Sequence, residues 1–396
     1  MELLAPAGNM EKLRYAVWYG ADAVYCAYRS FGLRAASENF DQNELKEAIS
    51  FCHDHNVKLY VTVNIYPTQK DLEQLPAFFT MLADLKPDGM IIADLGVMSL
   101  AKRYAPAIPI HISTQANVTN AETAMVLREL GAKRIVLARE MPLADIIDLR
   151  QKLPADVELE AFAHGAMCVA YSGRCLLSAA MTARSGNQGA CAQPCRWNYA
   201  LMEEKRPGSY YPIEEDERGT YVFNSKDLCL IEYLKELEDA GIASLKIEGR
   251  MKSFYYAACV TRAYRRALDD LQAGKPFDPA LLEELRAVSH RDYCTGFLFG
   301  DPGAEAQNPE NGGYLRYTDV VAIADEEPGW VIQKNKFTLG ETLWVLSPSG
   351  EPYPITVETM TDAEGQPIEA APHAEMRVFL GQNLAPHSII RRERRN

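Results

Sequence analysis

Along residues 1–150, short aliphatic and β-branched runs alternate with longer stretches whose apolar positions recur at helical spacing. The runs predict strands at 2–4, 22–25, 58–64, 89–93, 110–114 and 134–138, with a seventh at 158–162 and an eighth, far downstream, at 244–248. The stretches between them carry helix punctuation. Asn9 and Asn120 are placed to cap helix starts, and Gly20 and Gly131 to end them. Asp41 and Glu44 have capping-box spacing, and Leu45, Ala48, Ile49 and Cys52 follow as one core-facing stripe. Eight strands separated by helices predict a parallel, right-handed α/β barrel.

From about Asn311 the period changes. Short runs at 318–324, 330–334, 341–346, 353–359 and 374–380 are split by turn signals, which reads as a small all-β barrel. Between strands seven and eight, residues 203–220 read as a charged surface loop. Ser225 then opens a predicted helix over 226–240, with Leu228, Ile231, Leu234 and Leu237 on one face. The predicted organisation is a TIM-like (β/α)8 barrel over 1–300, with an insertion at 164–243 before its last strand, and an all-β barrel domain over 301–396.

The insertion carries the chemistry. Residues 159–199 read LEAFAHGAMCVAYSGRCLLSAAMTARSGNQGACAQPCRWNY, placing Cys168, Cys175, Cys191 and Cys195 in a C-x6-C-x15-C-x3-C pattern among glycines. Four thiolates at this spacing suit a metal or an iron–sulfur cluster such as 4Fe–4S. The spacing departs from the paired C-x2-C knuckles of zinc ribbons. Buried inert thiols and disulfides are the plain alternatives. Cys229 is a substitute for the fourth ligand, and its plain reading is a core thiol.

In such barrels chemistry sits at the carboxyl ends of the strands. Those positions hold Asn64, Asp94, Gln115, Arg139-Glu140, His164-Gly165 and Glu248-Gly249-Arg250. His164, Arg174 and Glu248 are the catalytic candidates; His164 could bind substrate or shuttle a proton. Arg196, Arg250 and Lys252 are the substrate-binding candidates, since a helix start beside Gly249, Arg250, Lys252 and Ser253 suits an anion. Against these stand ordinary salt bridges and a solvated helix start. His53-Asp54-His55 is read as a helix end rather than a site.

Composition narrows the classes. With 47% apolar and 24% charged residues the 396-residue chain is ordinary for a globular protein. A net charge of −13 argues against indiscriminate nucleic-acid binding, leaving local basic patches at 246–266 and 391–395. No apolar run approaches a bilayer span, and the start shows no secretion signal, so a cytoplasmic location without membrane contact is expected. Zincin, nucleophile-elbow, Walker and Rossmann patterns are missing.

Seven motifs carry a resemblance to a known family. They are LAPAG at 4–8, EAFAHGAMC at 160–168, SGRCLLS at 172–178, NQGAC at 187–191, CRW at 195–197, NSKDL at 224–228 and KIEGR at 246–250. Together they resemble the collagenase-like "U thirty-two" peptidase family, most closely its tRNA-hydroxylating branch. The resemblance implies formation of 5-hydroxyuridine at the wobble position of tRNA. It also implies prephenate as co-substrate and an iron–sulfur cluster on Cys168, Cys175, Cys191 and Cys195. A tRNA anticodon loop would be the partner, with a paralogous family member as a possible second subunit. Collagen-like peptide hydrolysis, ribosomal RNA or quinone-ring hydroxylation, and non-enzymatic tRNA binding are the alternatives.

Overall fold

The computed structural model describes residues 1–33, 38–168, 170–197, 215–216, 219–220, 225–302, 306 and 314–394. Seven parallel strands follow in order: β1 (Glu2–Pro6), β2 (Ala23–Ala27), β3 (Lys58–Val63), β4 (Gly89–Ile92), β5 (Ile110–Ile112), β6 (Ala132–Val136) and β7 (Glu158–Ala166). Each pairs with its predecessor in parallel register. A short strand, β8 (Asp227–Cys229), precedes β9 (Ser244–Ile247), which pairs with both β1 and β7 and closes the barrel. All eight predicted barrel strands are present.

The helices α1 (Met10–Trp18), α2 (Gln42–Asp54), α3 (Gln69–Leu85), α4 (Leu95–Tyr104), α5 (Ala121–Glu129) and α6 (Leu143–Lys152) link the first seven strands. Their caps match the sequence reading. Asn9 accepts from the Lys12 amide, Asp41 and Glu44 form a complete capping box, and Asn120 accepts from Thr123. The insertion supplies α7 (Leu177–Thr182) and α8 (Leu234–Asp239); α9 (Phe254–Gln272) and α10 (Ala280–Ala287) follow β9.

The predicted helix over 226–240 is corrected. Its first part is β8, antiparallel to the end of β7, with Leu228 opposite Gly165 and Cys229 opposite His164. Asp227 anchors it through a buried ion pair with Arg291 at 2.7 Å. A 3-10 turn at Ile231–Tyr233 and the short α8 complete the segment. The four apolar residues are all buried as expected, but strand, turn and helix together achieve it.

The C-terminal unit is an antiparallel half-barrel of six strands. Their spatial order is Tyr353–Thr356, Thr342–Leu346, Ile389–Glu393, Thr318–Ala324, Trp330–Gln333 and Arg377–Phe379. Its inner core, including Val321, Val331, Leu343, Val345 and Ile390, is distinct from that of the barrel, but Val320, Ile323, Leu346 and Ile389 of its strands join the barrel's apolar core. Polar bonds tie the two units as well. Arg262 of α9 is 2% exposed; it pairs with Glu284 of α10 and donates to the carbonyls of Ser347 and Gly350. The Tyr19 hydroxyl donates to the Leu346 carbonyl at 2.8 Å, and the Trp18 ring stacks on His387.

Candidate active site at the barrel mouth

Side chains alternate along a strand, so every second residue of a barrel strand points inward. On β9 and just beyond, those residues are Ser244, Lys246 and Glu248. They meet the inward residues of β1, β6 and β7 in a stack of charge. The Ser244 hydroxyl donates to Glu2 at 3.0 Å, and Tyr60 donates to the same carboxylate at 2.8 Å. Arg134 pairs with Glu2 and, at 3.2 Å, with Glu160. Lys246 pairs with the other Glu160 oxygen at 2.8 Å. Burial works against the charged form of Glu2, but the bonds and charge of Arg134 outweigh it and hold the carboxyl down to about 2. Burial, helped by Arg134, pushes His111 down to about 3.

Above this stack lies a cavity of about 130 Å³ at the carboxyl ends of the strands. Its floor is Tyr25, Phe162 and Lys246, and Asn64, Ser113, Gln115, Arg139, Glu248 and Arg250 stand in its walls. The Arg139 guanidinium stacks 3.8 Å above the Phe162 ring and lies 3.8 Å from Glu248. Arg250 is buried and donates to the Leu33 carbonyl. Three cations and one carboxylate therefore face the space among its described lining residues. Gln115 Oε1 is buried there without a hydrogen-bond partner.

The cysteine segment forms the roof. Cys168, Cys175 and Cys191 all line the cavity. The segment is seated by Gly173, whose φ of +75° suits glycine; a Cβ there would come within 2.6 Å of Gln115 Oε1 and 2.8 Å of the Tyr66 ring. The Tyr66 amide donates to the Asn187 carbonyl at 3.1 Å, fixing the other limb of the roof. Cys195 is partly buried in the same segment but does not line the cavity. None of the nine cysteines is in a disulfide. The donor set fits a thiolate-held centre in kind and in location. Its spacing as it stands is open: among the described residues no three His, Cys, Asp or Glu side chains converge closely enough to hold a metal ion.

Several sequence candidates lie elsewhere. His164 does not reach the cavity. The β7–β9 register shifts between Lys246 and Ile247, so that Phe162 lies opposite Lys246 but His164 opposite Ile247, on the helix-facing side. Its ring packs among Tyr256, Tyr264 and Tyr293, and burial pushes it down to about 3. Cys229 is in the barrel wall, where burial pushes its thiol up to about 12. Arg174 is exposed, and its charge reaches Tyr66. The Arg196 side chain lies outside the described residues.

The anion site expected at the start of α9 is not assembled. Ser253 caps its own helix, and Lys252 turns to the Ser289 carbonyl and the Tyr314 ring. Only Arg250 of that group faces the cavity. His53 pairs with Asp88 at a helix end, as read. Glu248 and Arg250 line the cavity, at the strand-end positions expected to face it. Lys246 and Phe162 were not expected there, although period-2 alternation through Ser244, Lys246 and Glu248 marks the first of them.

A family model described as "Peptidase family U32" matches residues 8–308, and one described as "Peptidase family U32 C-terminal domain" matches residues 318–391. The chain belongs to peptidase family U32. It is 38% identical to the "tRNA hydroxylation protein P" of Escherichia coli, over 96% of this chain and 93% of that protein. It is 37% identical to the "23S rRNA 5-hydroxycytidine C2501 synthase" of the same organism, over 68% of this chain and 39% of that one. It is also 30% identical to a "Collagenase" of Porphyromonas gingivalis, over 88% and 87% of the two chains. Among the described residues, no helix of this U32 member is long and apolar enough to cross a membrane.

Proposed function

We propose that this chain hydroxylates RNA, and specifically a wobble uridine of tRNA at C5, with prephenate as co-substrate. The observation that carries the reading is the near full-length likeness to a relative named for tRNA hydroxylation. The mouth cavity is consistent with it. Its cations, Arg139 and Arg250, suit the carboxylates of a small anion, which need fixed donors. Asn64 and the unpartnered Gln115 carbonyl suit the polar edge of an unstacked base. Glu248, between Arg139 and Tyr25, is placed to accept a proton.

Cys168, Cys175, Cys191 and Cys195 would hold an iron–sulfur cluster over this cavity. When bound, such a cluster supplies one-electron chemistry. Peptide hydrolysis has less support despite the family's name. Among the described residues no histidine lines the cavity, so no imidazole base stands beside its described serines or thiols.

Nucleoside mass spectrometry of tRNA from cells with and without the gene tests the reading. Loss of a hydroxylated uridine is expected, and an unchanged nucleoside profile would overturn it. Cys175→Ala is expected to lower both bound iron and product; full retention of both would remove the cluster from the proposal.

A further inference from the structure

The cavity floor holds a group that RNA positioning does not use. Lys246 is 4% exposed, its amine 2.8 Å from Glu160 and 4.4 Å from the centre of the Tyr25 ring, and it lines the cavity. A buried ion pair is a poor stabilising device, since apolar residues of similar size usually serve as well. Glu160 already has a second cation in Arg134. An amine at the closed end of a small cavity, below two guanidinium groups, is an arrangement for covalent capture of a carbonyl.

We propose that Lys246 condenses with the keto group of a small 2-oxo carboxylate to form an imine at the barrel floor. This rests on the reading of the mouth cavity as the reaction site, and it assigns the co-substrate's chemical class to a named atom.

The step balances. The Lys246 ammonium gives one proton to Glu160, and the freed nitrogen pair forms a bond to the carbonyl carbon. The carbonyl oxygen takes two protons, one from the adding nitrogen and the one held on Glu160, and leaves as one water, which returns Glu160 to its carboxylate form. The product is a protonated imine, so a positive charge stands beside Glu160 before and after. The pairing that holds the barrel interior therefore survives the condensation. No oxidant or reductant is consumed.

The surroundings favour the chemistry. Burial lowers the Lys246 pKa against the opposing pull of Glu160, which makes the free amine more accessible. Phe162 carries Arg139 at 3.8 Å and Lys246 at 5.6 Å from the centre of one ring, so a guanidinium suited to a carboxylate and an amine suited to a keto group stand around the same side chain of the cavity. A 2-hydroxy acid has the same carboxylate and no carbonyl, and it cannot react.

The full-length protein, isolated without oxygen, is incubated with phenylpyruvate or pyruvate and cyanoborohydride, then mapped by peptide mass spectrometry. One reduced adduct on Lys246 is expected. It should be absent with phenyllactate, absent at that position in Lys246→Arg, and at least tenfold slower to form in Glu160→Gln. An unlabelled Lys246 in the wild-type protein would overturn the proposal, as would labelling spread evenly over surface lysines. This primary readout does not depend on any variant folding. In cells, Lys246→Arg that still makes hydroxylated uridine would sink the covalent role and leave RNA hydroxylation standing. A Lys246 adduct in a protein whose deletion changes no nucleoside would do the reverse.

Discussion

His111 and His164 are both enclosed and neutral, each pushed down to about 3 by burial. An unfolded histidine protonates near 6.5. Below that pH the unfolded chain takes up protons that the folded chain refuses, so stability falls as pH drops from about 6.5 toward 3. The direction follows from folded values lying below unfolded ones. His164→Gln removes one share, so its urea midpoint should fall less steeply than that of the wild type between pH 6.5 and 4.5. Identical slopes would place the ring elsewhere. The same residue shows a limit of the sequence. Strand alternation from Glu160 and Phe162 directs residue 164 into the mouth, and one irregular step against β9 turns it outward. The one local hint is Gly165, a glycine inside the strand with φ +107° whose missing Cβ lets the Glu248 carbonyl approach, and the step itself is a property of the pairing. Lys246 was recoverable, since its alternation is regular.

At the level of elements, the eight barrel strands and their helix caps were legible because each is written locally, in a run, a period or a cap. The segment at 226–240 was not. Its apolar spacing fits a helix, and the partner that makes its first turn a strand is Arg291, 64 positions away. Asp227 and Arg291 are each 2% exposed, and the Arg291 amide also donates to Asp227. Asp227→Asn leaves a buried guanidinium without its counter-ion, which costs about 3–5 kcal/mol. The expected result is a lower urea midpoint, together with faster amide exchange in β8 and at the end of β7. A change confined to the Arg291 loop would show that β8 docks without the pair.

Across the whole molecule, the half-barrel keeps an inner core of its own and lends Val320, Ile323, Leu346 and Ile389 to the barrel's core, and the buried Arg262 adds a polar tie to that apolar seam. The burial of Arg262 was not legible, because no sequence pattern reveals that a second unit covers that face of α9. Arg262→Ala would strand the Glu284 carboxylate, which is buried and has one oxygen already without a partner. Calorimetry should show a loss of about 3 kcal/mol or more in one lowered transition, because the apolar seam still couples the two units. A single unshifted transition would mean that the apolar contacts suffice.

The order of the chain has a further consequence for how the molecule is made. β1 stays without one neighbour until Ser244–Ile247 arrives, and so does the Glu160–Phe162 part of β7, whose end pairs earlier with β8. During translation the nascent sheet therefore carries two raw edges for most of its synthesis. The thiol-bearing segment emerges from the ribosome before the strand that finishes the ring, so the roof is in the cell before there is a room beneath it.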